Sequence, residues 1–91
     1  MFLHIGGDNY VLKKDIIAIL DKNTVENSKE TSRFIENMIR DGFLKNDKMD
    51  DVKTYIITWE NENNDRLKKQ HYLYMSNISS STLLRRNNGR K

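Results

Sequence analysis

A chain of 91 residues with neither proline nor cysteine has room for one small domain and no second core. Lack of cysteine excludes disulfide staples, thiolate metal sites and thiol catalysis, and the longest apolar run, residues 16–20, falls far short of the roughly twenty a membrane span needs. The net charge of +3 is the sum of −4 over residues 1–65 (nine Lys/Arg, thirteen Asp/Glu) and +7 over residues 66–91, which hold no acid.

In chain order, residues 2–5 read as a short strand that ends in the turn signal Gly6-Gly7-Asp8-Asn9, and residues 10–12 resume as a strand. The β-branched run 16–20 is expected to be a strand covered on both faces. After a turn at residues 21–24, Asn27 stands three positions before Glu30 in the spacing of a capping box. Phe34, Ile35, Met38 and Ile39 then form one apolar stripe, which predicts a helix over about 28–41 ended by Gly42. Residues 43–45 read as a strand and residues 46–51 as a polar turn with an acidic tip. In residues 52–59, Tyr55, Ile57 and Trp59 alternate with Thr54, Ile56 and Thr58, the clearest strand pattern in the chain.

The polar stretch 60–70 reads as a long mobile loop and residues 72–76 as the last strand. Serines 79–81 and Thr82 cap a short helical turn carrying Leu83 and Leu84, with residues 87–91 as a disordered tail after a regulatory domain at 1–86. The fold class is therefore α+β: a small, mostly antiparallel sheet with one main helix and a C-terminal helical turn. One helix covers one sheet face, so the other face or the strand edges call for self-assembly. The face of Tyr55, Ile57 and Trp59 or the edge at residues 2–5 is the expected contact between copies. The amino terminus has no basic start and an early acid, Asp8, unlike a secretory signal, so a soluble, cytoplasmic protein is expected.

No general acid–base, nucleophilic or metal-binding set emerges, no cofactor or small-molecule substrate is expected, and an enzyme is disfavoured. His4 and His71 lie in strands without ligand spacing, and Asp47, Asp50 and Asp51 lack the spaced ligands of a calcium loop. What stands out is cations beside strand aromatics. Tyr55, Trp59, Tyr72 and Tyr74 have rings that stack on bases, or that fill a small core. Arg66, Lys68, Lys69, Arg85 and Arg86 are the candidate phosphate contacts. A polyanion partner, a solvated tail and pairing with an acidic neighbouring subunit all fit this charge pattern.

Residues 1–6 (Met-Phe-Leu-His-Ile-Gly), residues 15–21 after two lysines, and Ser79-Ser80-Ser81-Thr82-Leu83 resemble the RemA/RemB extracellular-matrix regulators of Gram-positive bacteria, the RemB-like branch most closely. The resemblance spans about residues 1–86. It implies a small LytTR-like subunit that assembles into closed rings, binds DNA along a basic outer surface and activates biofilm matrix genes. Where the RemA branch uses an arginine before the second apolar strand this chain has Asp15, and where it uses an arginine pair at a hairpin tip this chain has Asp50-Asp51. Lys53, Lys13 and Lys14 keep positive charge in those regions, whereas a carboxylate beside a phosphate is repulsive. Expected partners are double-stranded DNA, further copies of the chain, and a related regulator, with no membrane contact. The alternative is a ring-forming protein-interaction scaffold that has lost DNA binding.

Overall fold

The computed structural model describes residues 1–62 and 65–88. Its elements are β1 (Phe2–Gly6), β2 (Asn9–Leu12), a 3-10 turn (Lys13–Asp15), β3 (Ile16–Asp21), α1 (Lys22–Glu26), α2 (Lys29–Arg40), β4 (Thr54–Glu62), β5 (Asp65–Ser76) and α3 (Ser80–Asn88). The fold is α+β with two antiparallel sheets, the hairpin β1–β2 and a three-stranded sheet in the order β3-β4-β5.

The expected exposed sheet face does not exist. Ile56 and Ile57 point to opposite faces of β4, and both are buried. On one face Leu3, Ile5 and Val11 of the hairpin and Leu83 of α3 close over Ile56. On the other, Val25 of α1 and Ile35 and Met38 of α2 close over Ile57 and Leu73. Tyr55 packs half-buried against this second core, so of the expected contact face Ile57 is covered and Trp59, 40% exposed, stays open. The chain is thus three layers deep, and the whole sheet need not be hidden by self-assembly.

β3 is covered on both faces, as its uniform apolar run requires. Ile16 and Ile19 join the first core and Ala18 and Leu20 the second. Positions 16 and 19 differ by an odd number, so only a bulge can put them on one face. The register supplies it: Ile16 opposes Thr58 while Ala18 opposes Ile57, and Ile17 is pushed out to 54% exposure.

Residues 43–45 form a single parallel bridge, Leu44 to Leu73, in place of the expected strand. The Leu73 N–H donates to the Phe43 carbonyl at 2.9 Å and the Lys45 N–H donates to the Leu73 carbonyl at 2.8 Å. Two residues along β5, the Asn46 side-chain amide donates to the Met75 carbonyl at 2.7 Å and accepts its N–H at 2.9 Å. An amide side chain thereby continues the ladder and shields the β5 edge.

One helix cap differs from expectation, and the expected glycine stop holds. Asn27 closes α1, so Ser28 caps α2 instead, its Oγ accepting the Thr31 N–H at 3.2 Å. Gly42 follows α2 at φ +88°, the left-handed position that favours glycine. At the other end of the chain Ser79 Oγ accepts the Thr82 N–H, and α3 runs nine residues where a single turn was expected. It includes Asn87 and Asn88 of the expected tail; residues 89–91 lie outside the described residues.

Polar groups stitch the layers. Buried Ser76 Oγ donates to the Ile5 carbonyl at 2.7 Å, and buried Thr54 Oγ1 donates to the Ile78 carbonyl at 2.7 Å. Gly6, at φ +118°, sits where a Cβ would stand 2.9 Å from Asn77 Oδ1, which holds the hairpin close to the loop before α3. Since Leu83 is fully buried and both layers lean on one sheet, Leu83→Ala is expected to cost about 2–4 kcal/mol in urea unfolding. The loss should appear as an earlier single transition by fluorescence and circular dichroism together.

Candidate nucleic-acid interface

The eight candidate cations fall into three places. Lys13 and Lys14 occupy the 3-10 turn, and Arg85 and Arg86 the last turn of α3. These two segments meet: Lys13 Nζ donates to the Arg86 carbonyl at 2.9 Å, and the Arg86 guanidinium donates to the His4 carbonyl at 3.3 Å. Lys13 thus caps the C-terminal end of α3, where the helix dipole favours a cation, while drawing like charges together. Lys53 lies elsewhere, lining a groove of about 330 Å³ with Asp21, Lys22, Asn23, Val52 and Ser79.

Arg66, Lys68 and Lys69 stand on β5, not in a loop. The expected mobile segment 60–70 is mostly paired strand: Glu60 opposes Gln70, Asn61 opposes Lys69, and Glu62 opposes Asp65. Backbone pairing needs no apolar side chains, so this stretch carried no strand signature. With both layers ending near Thr58, the hairpin continues beyond them as an arm, with Arg66, Lys68 and Lys69 all exposed. Ile16 opposes Thr58, which sets Lys13 and Lys14 beside the base of this arm. Lys53, just before the opposite end of β4, is roughly 30 Å from the arm's far end at Glu62, taking about 3.3 Å per residue.

None of these eight cations has a carboxylate within 4.0 Å among the described residues; the ion pairs there are Lys22–Glu26, Arg40–Asp41 and Lys45–Glu60. Asp15 ends the 3-10 turn and is close enough to add to the negative field on Tyr74. Asp50 and Asp51 are exposed in the irregular stretch before Val52, nearer Lys53 than the arm.

Most of the candidate stacking rings are committed elsewhere. Tyr72 lies edge-on to Phe43 at 6.3 Å with Lys45 Nζ 4.5 Å above its ring. Tyr74 donates to Glu60 Oε2 at 2.7 Å. Trp59, 40% exposed, packs against His71 at 4.6 Å and is the one strand ring of the four left open to solvent. His4 sits 4.9 Å from Tyr10, with Nε2 2.8 Å from the Gly7 carbonyl.

Glu60 is the residue that sequence reasoning missed. Its carboxylate accepts from Thr58 Oγ1 at 2.6 Å, from Tyr74 and from Lys45 at 3.3 Å, bracing the base of the arm. Burial alone would raise its pKa, but the Thr58 and Tyr74 hydrogen bonds and the Lys45 charge outweigh that and hold the carboxyl below the usual range. Tyr74 is pushed well above the usual tyrosine range by burial and by that same carboxylate. No sequence signal links Lys45 to Glu60; only the bridge at Leu44 brings them together.

The arrangement is a small α+β domain whose basic surface is divided between an arm and its base. Residues 2–86 match the RemA-like family, described as extracellular matrix regulatory protein A-like, and the chain belongs to that family. The match is to the family as a whole and does not separate a RemB-like branch. It is a family of regulatory proteins, and no curated protein matches the chain. Among the described residues no helix is long and apolar enough to cross a membrane.

Because its carboxyl is held below the usual range, Glu60 stabilises the fold fully above the ordinary glutamate pKa. That contribution is lost as pH falls through the lower folded value. Glu60→Gln is expected to lower stability by about 1–2 kcal/mol at pH 7. Urea titrations at pH 7 and pH 3 should show that difference shrinking at the acid end.

Proposed function

We propose that the protein is a homo-oligomeric regulator of extracellular-matrix and biofilm gene expression that binds double-stranded DNA mainly through its phosphates. The observation behind this reading is the set of cations without carboxylate partners at the arm and its base: Arg66, Lys68 and Lys69 on β5, with Lys13, Lys14, Arg85 and Arg86 beside them. Phosphate recognition needs cations at a usable spacing and free to exchange counterions. Family membership supports a regulatory role, and the resemblance to ring-forming DNA binders supports assembly.

Lys53 takes no part in the arm-side surface. It stands apart, in the region that Asp50 and Asp51 make acidic, so DNA contact shifts away from the hairpin-tip position implied by the resemblance. For self-association the outer face of β1–β2 is the better surface, since Phe2 and Tyr10 are 63% and 58% exposed around an apolar groove of about 370 Å³.

Titrating labelled duplex DNA by fluorescence anisotropy at several salt concentrations tests the reading. The expected slope of log K against log salt is about −4 or steeper, at roughly −0.9 per phosphate neutralised. Replacing Arg66, Lys68 and Lys69 together by alanine should make the slope shallower by about 2–3 units. Lys14→Ala with Arg85→Ala, neither side chain holding a backbone contact among the described residues, should remove a further one to two. Absence of binding at low salt would favour the scaffold reading suggested by Asp15, Asp50 and Asp51.

A further inference from the structure

The β4–β5 ladder runs to Asn61 opposite Lys69 and then jumps to Glu62 opposite Asp65. The jump leaves Arg66, Leu67 and Lys68 with no residue facing them on β4, an irregular bulge on one strand of the arm. Asp65 fixes its shape, because Oδ1 accepts the Leu67 N–H at 2.9 Å. Leu67 is held out at 93% exposure, with exposed Arg66 and Lys68 on either side and Lys69 beyond.

A single leucine is a poor centre for a protein contact. It is the only apolar side chain described between Glu60 and Gln70, whereas a stable protein interface buries about 800 Å² per partner. One apolar side chain ringed by cations instead matches a polyanion with an apolar interior behind its charges. Duplex DNA is built this way, and apolar side chains of this size enter between base steps from the minor groove and kink the duplex.

Resting on the DNA-binding reading above, we infer that the arm is a DNA-bending device. Arg66, Lys68 and Lys69 seat on phosphates flanking the minor groove, and Leu67 inserts between two base pairs. Unstacking is easiest at pyrimidine–purine steps, so the arm favours TA or CA steps without hydrogen bonds to base edges. Two carboxylates on the arm, Glu62 and Asp65, oppose phosphate approach, and Asp65 is also the group that shapes the bulge.

The test uses a duplex of about 30 base pairs with a donor and an acceptor dye at its ends and a central TA step, reading anisotropy for binding and energy transfer for bending. The wild type should bind and raise the transfer. Leu67→Ala should abolish that rise with up to about a tenfold loss of affinity and an unchanged salt slope, since leucine neutralises no phosphate. Lys68→Ala should do the reverse, making the slope shallower by about 0.9 while keeping the bend at saturation.

Wild-type binding without a change in transfer, or full bending by Leu67→Ala, overturns the wedge and leaves the DNA reading standing. No binding by the wild type at low salt overturns both. A change in the sedimentation of the free protein on Leu67→Ala would assign the side chain to contact between copies and would equally overturn the wedge.

Discussion

The other elements of the fold are arranged around the burial of β4 on both faces. Ile56 and Ile57 are adjacent in sequence, so they must point to opposite sides of the sheet, and two separate layers are needed to cover them. The hairpin β1–β2 and α3 supply one, α1 and α2 the other. Each layer also meets β3, whose bulge at Ile17 adjusts which residues reach which core. A domain this small gains most of its stability from such shared burial, so one sheet serving two cores is an economical arrangement.

The arm follows from where that burial stops. The hydrogen-bond ladder of β4 and β5 extends four pairs past Thr58, into a region with no layer on either side. There the hairpin needs no apolar residues, which frees its positions for charge. Glu60 stands at the boundary, and its bonds to Thr58, Tyr74 and Lys45 anchor the projecting part to the packed part. At the base of the same arm, Lys13 completes the end of α3 and thereby positions Arg86. The cations proposed for phosphate contact are thus held by the elements that build the fold.

Local chemistry made the central elements readable in the sequence. The stripe Phe34, Ile35, Met38, Ile39 with Gly42 after it marks α2, and the alternation at residues 54–59 marks β4. What stayed hidden depends on partners distant in the chain. The arm is held by backbone bonds, which leave no side-chain pattern, so its polar residues looked like a loop. The cap of α2 moved from Asn27 to Ser28 because Asn27 already closes α1. Residues 43–46 shield a strand edge through one bridge and one asparagine side chain, and α3 is extended by a capping serine at one end and a lysine 73 positions away at the other. Coverage of both sheet faces depends on how three helices and a hairpin distribute themselves, which strand periodicity does not specify. Of the candidate site, the charged residues were evident in the sequence and their division between arm, base and distant Lys53 was not.

In the proposed function the arm and its base form one DNA-contacting surface. Amide hydrogen exchange, followed by mass spectrometry with and without duplex DNA at low salt, tests it most directly. Slowed exchange on DNA addition is expected at residues 65–71, 13–15 and 84–88, with residues 46–53 unchanged. Slowing confined to residues 46–53, or none anywhere at saturating DNA, would contradict it.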